Sequence, residues 1–218
     1  MLYGGIIYQS HKVLQGTKLL PWYLGGTIGS FDLMEEGMPF IELPPGAAEC
    51  LLLFMGLHSH LLVDLLLFHR DRPDFNETLL HHICAVSLNL CTFFANTRGL
   101  GVIIAYLHAL TEPWVNLSRI LASTHYKKAT AVSALLMFLS YLYTRILVLP
   151  YLTYRVWYRK HPGLPQFDNV LTCDAIFLTC LQLLHFHWFR LIILMVSNYA
   201  RTGENVDMQR VIEKKKTA

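Results

Sequence analysis

The stretch "DFNETLLHHICAV", residues 74–86, sets acidic side chains directly before two adjacent histidines and then runs into apolar sequence. Imidazole changes charge near neutral pH, so a histidine can serve as general base, nucleophile or metal ligand. His81 and His82 are neighbours, about 100° apart around a helix, and are therefore expected to point in different directions. One would take the reacting position, and the other would orient it or bond a neighbouring helix. The plainer alternative, in which both only hydrogen-bond between helices, stays open at this point.

Other ionisable residues lie in apolar runs. His58, His60 and Asp64 fall in a first run, His108, Glu112 and Arg119 in a third, Arg145 in a fourth, and Asp174, His185, His187 and Arg190 in a fifth. Such side chains are costly where lipid is the solvent and usually face a bundle interior or a wet cavity. Helical spacing sorts them. His60 and Asp64 share a face; His108, Glu112, Asn116 and Arg119 draw one stripe at i, i+4, i+8 and i+11; Asp174 and His185, eleven apart, share another. Together they imply a polar chamber between helices.

A metal site is not expected from this spacing. Membrane di-iron enzymes use boxes of the form H-x-x-x-H and H-x-x-H-H, and Thr78 stands where the second box would need its first histidine. The H-x-H pairs His58/His60 and His185/His187 place their rings on roughly opposite helix faces.

The elements that must hold these residues are helices in a membrane. Of 218 residues, 54% are hydrophobic and 15% charged, against about 25% charged in soluble domains. Runs of the ~20 residues that span a bilayer recur at 47–69, 77–96, 100–122, 129–158 and 170–198. The expected fold is an all-α polytopic membrane protein, a bundle of about five to seven transmembrane helices around a lipid chamber. Pro150 predicts a kink or a terminus in the fourth span.

Residues 1–46 read as an N-terminal segment, compatible with the end of a longer span, followed by a Gly- and Pro-rich loop over 21–46. Residues 47–198 form the membrane domain, and 199–218 a basic tail. The net charge of +3 is small and scattered, so no nucleic-acid footprint is present. Lys and Arg bias favours a cytosolic C-terminus, with Arg70, Arg72, Lys127, Lys128, Arg201 and Arg210 on that side. The five cysteines include no C-x-x-C; Cys84/Cys91 and Cys173/Cys180, each seven apart, read as small packing residues rather than disulfides.

"DFNETLLHHICAVSLNLCTFFANTRGLGVIIAYLHALTE" resembles the Lag1 motif of ceramide synthases, within the TRAM–Lag1–CLN8 (TLC) superfamily. That motif runs approximately D-F-x-E-x-x-x-H-H, then a stretch ending in N-x-x-R-x-G, then L-H-D-x-S-D. Asp74, Phe75, Glu77, His81, His82, Asn96, the neighbourhood of Arg98, Gly101, Leu107 and His108 correspond. "LPWYLGG", "MGLHSHLLVDLL" and "LLHFHWFRLII" also look like family segments, so the resemblance covers roughly residues 20–200.

The resemblance implies a multi-pass protein of the endoplasmic reticulum membrane that transfers an acyl group from acyl-CoA, as co-substrate, to a sphingoid base. It implies no bound cofactor, and it leaves homo- or hetero-oligomerisation open. His81 and His82 take the catalytic role, with His108 and Glu112; Asp64, Asp74, Glu77, Asn116, Arg119, Asp174 and His185 are the expected substrate-binding residues. The chain departs from the motif where H-D-x-S-D is replaced by His108-Ala109-Leu110-Thr111-Glu112. The first carboxylate is absent and the second is a glutamate. That departure supports a second reading, a non-catalytic TLC protein that binds lipid or regulates membrane lipid composition or trafficking.

Overall fold

The computed structural model describes residues 2–15, 20–26, 45–122, 124, 126–158, 165–203 and 211. Among these, helices α1 (Leu2–Gln15), α2 (Ala47–Phe68), α3 (Phe75–Phe94), α4 (Arg98–Ala122), α5 (Lys127–Tyr141), α6 (Leu149–Trp157) and α7 (Pro165–Thr202) form the fold, with no strand. Of the loop expected over 21–46, residues 27–44 lie outside the described residues, and Trp22–Leu24 make one 3-10 turn. Most of the basic tail also lies outside them, and α7 runs to Thr202 at its start.

Local chemistry explains the helix starts. Gly46, after Pro44 and Pro45, opens α2 at φ 94°, a left-handed conformation that suits a residue without Cβ. Asp74 stands at the N-cap of α3 and Glu77 in its first turn, where carboxylates complement the helix dipole. Between α3 and α4 the chain turns at Asn96, φ 59°, a left-handed position that asparagine tolerates better than most residues. Arg98 opens α4 with its guanidinium 4.8 Å from the Phe93 ring centroid.

Helix α4 is the centre. Leu100, Val102, Ile103, Ala105, Leu107 and Ala109 are all 0–1% exposed, so its first half is enclosed on every side. It packs against α1, α2, α3 and α5. Gly101 sits at the tightest approach: a Cβ there would lie 2.6 Å from Thr92 Oγ1 and 2.8 Å from Leu51 Cδ2. Helices α3 and α7 pack together, with Cys84 against Cys180 and Cys91 near Cys173. Residues rising along one helix meet residues falling along the other, so the two run antiparallel and the paired sevenfold spacings share one seam. The cysteines are free thiols.

Helices α5 and α6 are halves of one 31-residue rod, Lys127–Trp157, joined by a π-helical stretch, Leu142–Val148. At Pro150, where a kink or a terminus is expected, α6 begins immediately after the π stretch. Proline has no N–H, and the π stretch ends with the Leu149 N–H bonded to the Thr144 carbonyl, five residues back. The Arg145 carbonyl, whose π-type donor would be residue 150, is left to a side chain: Gln182 Nε2 donates to it at 2.9 Å.

Among the described residues, three helices are long and apolar enough to cross a membrane: Ala47–Phe68, Lys127–Trp157 and Asp168–Thr202. This corrects the five spans expected. Helices α3 and α4, at 20 and 25 residues, are long enough but carry the polar side chains described below and fall short on composition. The outer helices present Leu52, Val63, Leu67, Leu135, Leu139, Ile176 and Leu183 outward, each more than 40% exposed. An apolar belt of this kind outside a bundle with a polar interior fits lipid as solvent, and the chain is a multi-pass membrane protein.

Candidate functional site

Five histidines from four helices converge. His81 on α3 lies with its ring centroid 5.9 Å from His58 of α2, 5.4 Å from His82, 6.0 Å from His108 of α4, 5.9 Å from His185 of α7 and 5.3 Å from Trp188. His58 is also 5.6 Å from His82, and His108 is 5.3 Å from His185. His58, His82, His108 and His185 are at most 8% exposed, whereas His81 is only partly buried. His81 and His82 leave the helix in different directions, as expected, yet both reach the same neighbour. A 100° separation still lets two long side chains flank one ring on the facing helix, and His58 is that ring.

The hydrogen bonds set tautomers. His58 Nδ1 lies 3.1 Å from the Phe54 carbonyl and His108 Nδ1 2.8 Å from the Ile104 carbonyl, each one helical turn back. A carbonyl only accepts, so both Nδ1 atoms carry the proton and both Nε2 atoms keep a lone pair. Arg145 Nη1 donates to His185 Nε2 at 3.1 Å, which puts the His185 proton on Nδ1. The Nδ1 atoms of His81, His82 and His185 are buried with no hydrogen-bond partner.

Arg145, 3% exposed on the π stretch, ties the cluster to α4. Besides His185 it reaches the His108 carbonyl from Nη2 at 3.1 Å and Glu112 Oε1 at 3.6 Å. The departure from helical hydrogen bonding holds it there: Pro150 frees the Arg145 carbonyl, Gln182 captures it, and Tyr141 donates to the His185 carbonyl at 3.3 Å. Thr144 donates to Ser140 O at 2.7 Å, so its oxygen accepts the Thr111 hydroxyl at 2.8 Å and locks α4 to the π stretch.

Of the residues expected from sequence, His81, His82, His108, His185 and Glu112 belong to this assembly. The others do not reach it. Asp64 is partly exposed and faces His69 at 3.3 Å. Asp74 is held by Arg72, with Nε–Oδ1 at 2.8 Å and Nη2–Oδ2 at 2.6 Å. Burial raises the Asp74 carboxyl, but that hydrogen-bonded guanidinium outweighs it and holds the group below its ordinary value. Glu77 lies in the first turn of α3, Asn116 donates to the Glu112 carbonyl at 2.9 Å, and Arg119 is exposed. Asp174 is fully buried beside Thr97. It lies on the same face of α7 as His185 but eleven residues away, about 16 Å along the axis.

His58, Arg145, Gln182 and Trp188 complete the site and were not among the expected site residues. The sequence holds a signal for two of them. On α2 the buried positions Ala47, Cys50, Leu51, Phe54, Leu57 and His58 follow one helical stripe, which His60 leaves. On α7, Leu171, Asp174, Ala175, Leu178, Leu181, Gln182 and His185 do the same. The Ala109 position packs among Ile6, Phe54, Leu57 and Ala105, an apolar cluster between α1, α2 and α4.

A histidine pair on α3, backed by a third histidine on α4 and a guanidinium from the following helix, is the setting in which comparison with known proteins becomes informative. Residues 21–194 match the profile of the TLC domain. The chain belongs to the TLC-domain family. Among curated proteins it is similar to ceramide synthase 4 of Mus musculus, 29% identical over 192 residues, covering 87% of this chain and 47% of that protein. It is also similar to ceramide synthase 4 of Bos taurus, at 25% over 170 residues, 78% of this chain and 43% of that protein. For ceramide synthase 4 of Homo sapiens the identity is 26% over 167 residues, 76% of this chain and 42% of that protein. The chain thus spans less than half the length of these relatives. No solved structure matches it. The TLC domain here contains the whole histidine cluster, since His58 to His185 all lie within the matched residues.

Proposed function

We propose that this TLC domain carries out ceramide synthase-like N-acylation, transferring an acyl group from acyl-CoA to the amine of a sphingoid base. The observation that carries this reading is His81: a partly accessible imidazole with an unpartnered Nδ1, ringed by four other imidazoles and Trp188 inside an apolar bundle. Its relatives named ceramide synthase 4 support the reading.

In the reaction the amine nitrogen attacks the thioester carbonyl, the C–S bond breaks, and coenzyme A leaves as a thiolate. His81 takes the ammonium proton of the attacking amine and returns a proton to that thiolate, so acyl-CoA plus amine give amide plus free thiol. His185 Nδ1–H, a buried donor with no acceptor, supplies a hydrogen bond to the carbonyl oxygen as negative charge develops there. Arg145 fixes the His185 tautomer that makes this possible. His82 orients the reacting imidazole. Apolar walls suit the acyl and sphingoid chains, and the endoplasmic reticulum membrane with the C-terminus in the cytosol is the setting in which acyl-CoA reaches Asp74 and the mouth of α3.

The second reading, a non-catalytic TLC protein that binds lipid or regulates membrane lipid composition or trafficking, rests on Ala109, which packs among the apolar side chains of Ile6, Phe54, Leu57 and Ala105 where the motif carries an acid. Microsomes carrying the protein, given acyl-CoA and sphinganine and read by lipid mass spectrometry, separate the two. New ceramide lost in both His81→Ala and His82→Ala supports transfer. No product from folded, inserted wild type moves the assignment to lipid binding or regulation.

A further inference from the structure

We propose that His58, His81 and His82 form a binding site for one zinc-class divalent metal ion. One nitrogen from each of the three rings lies within 4.8 Å of the other two. Around a tetrahedral ion with metal–nitrogen bonds of about 2.0–2.1 Å, ligand nitrogens stand about 3.4 Å apart. Closing that difference requires the imidazoles to rotate about their side-chain bonds.

Three features of the cluster suit an ion. His58 donates from Nδ1 to the Phe54 carbonyl at 3.1 Å, the outer hydrogen bond that fixes a metal-binding imidazole and aims its Nε2 lone pair. His82 is 8% exposed and its Nδ1 has no partner, as is true of His81 Nδ1; such buried nitrogens are normally satisfied. His81 is the least buried of the three rings. Three neutral imidazoles with no carboxylate select zinc, copper or nickel over magnesium or calcium. The cations that act on the three rings, Arg145 and Arg72, are partnered by Glu112 at 3.6 Å and by Asp74 at 2.6 Å. The spacing that speaks against a metal within one helix does not apply, because the ligands come from two.

The ion would occupy lone pairs that proton transfer requires, so ion binding and acyl transfer exclude each other, and added zinc inhibits. That consequence alone rests on the acyl-transfer reading; binding itself does not.

The test uses the full chain purified in detergent, stripped with chelator and titrated with Zn2+ against a chromophoric competitor, and with Co2+ followed by visible absorption. The expected result is one ion per chain, tetrahedral Co2+ bands, and at least tenfold weaker binding in His58→Gln and in His82→Gln. His60→Gln and His187→Gln are expected to bind like wild type. Thermal unfolding and gel filtration check each variant, and if one of the two ligand variants misfolds the other carries the comparison. No stoichiometric ion in wild type overturns the proposal, and so does binding that His58→Gln and His82→Gln leave unchanged. Because no acyl-CoA is present, ion binding by a protein without transferase activity would sink only the acyl-transfer reading.

Discussion

Arg145 donates from Nη1 to Nε2 of His185 at 3.1 Å, a buried contact between the π stretch and α7. It decides which nitrogen of His185 carries the proton, and the same guanidinium holds the His108 backbone and Glu112. A defect in helix geometry at Pro150 thereby orients an imidazole two helices away in sequence.

Arg145→Lys keeps the charge but not the planar fork, and a single ammonium cannot serve His185, the His108 carbonyl and Glu112 together. We expect a fall in transferase activity of tenfold or more with insertion retained. Arg145→Met, which leaves Glu112 unpaired, is expected to destabilise by about 3–5 kcal/mol. Activity in microsomes and thermal unfolding in detergent measure the two effects.

Gly101→Ala places a Cβ 2.6 Å from Thr92 Oγ1 and 2.8 Å from Leu51 Cδ2, where α4 meets α2 and α3. Overpacking of this kind costs about 1–3 kcal/mol. A double substitution with Thr92→Ala, which removes the Oγ1 that lies nearest the new Cβ, is expected to recover part of the loss in unfolding temperature.

The Arg72–Asp74 pair makes stability depend on acid. Burial pushes the Asp74 carboxyl up, but the Arg72 hydrogen bonds and charge hold it below its ordinary 3.8. Folding lowers this pKa, so its stabilisation is complete above the unfolded value and is lost as pH falls through the lower folded one. Arg72 is 36% exposed at its side chain, so screening limits the pair to about 1 kcal/mol. Asp74→Asn is expected to lower stability by that amount near neutral pH and to converge with wild type in strong acid, as unfolding at a series of pH values would show.

Ala109→Asp restores an acid where the Lag1 motif carries one, yet here the position faces Ile6, Phe54 and Leu57. A carboxyl without a partner in such surroundings costs about 1–3 kcal/mol even when protonated. The variant is expected to insert less well and to gain no activity; a clear gain would show that the acid reaches His108.

The double histidine, the stripe through His108 and Glu112 and the break at Pro150 were legible because each depends on local spacing or backbone chemistry. Apolar run length also gave α2, α3 and α4 within about two residues and α5 with α6 as one span, while α7, Pro165–Thr202, extends beyond the expected 170–198 at both ends. What spacing does not carry is the meeting of helices. The α2 stripe separates His58 from His60, but only packing on α3 shows that the buried ring meets His81 and His82. Asp174 and His185 share a face, but their eleven-residue separation already puts them about 16 Å apart along the axis, too far for one site. Asp74 matched a motif position, and its carboxylate is bound to Arg72. Arg145 drew notice as a buried charge, though its partners come from two other helices and could not be read from its own.

The most direct test of the central claim is transfer by the purified chain, free of other membrane enzymes. Protein in nanodiscs receives isotope-labelled acyl-CoA and sphinganine, and labelled ceramide and free coenzyme A thiol are counted together. Equal amounts of both, lost in His81→Ala, are the expected result. Labelled ceramide absent from folded wild-type protein, or formed equally by His81→Ala, would contradict it.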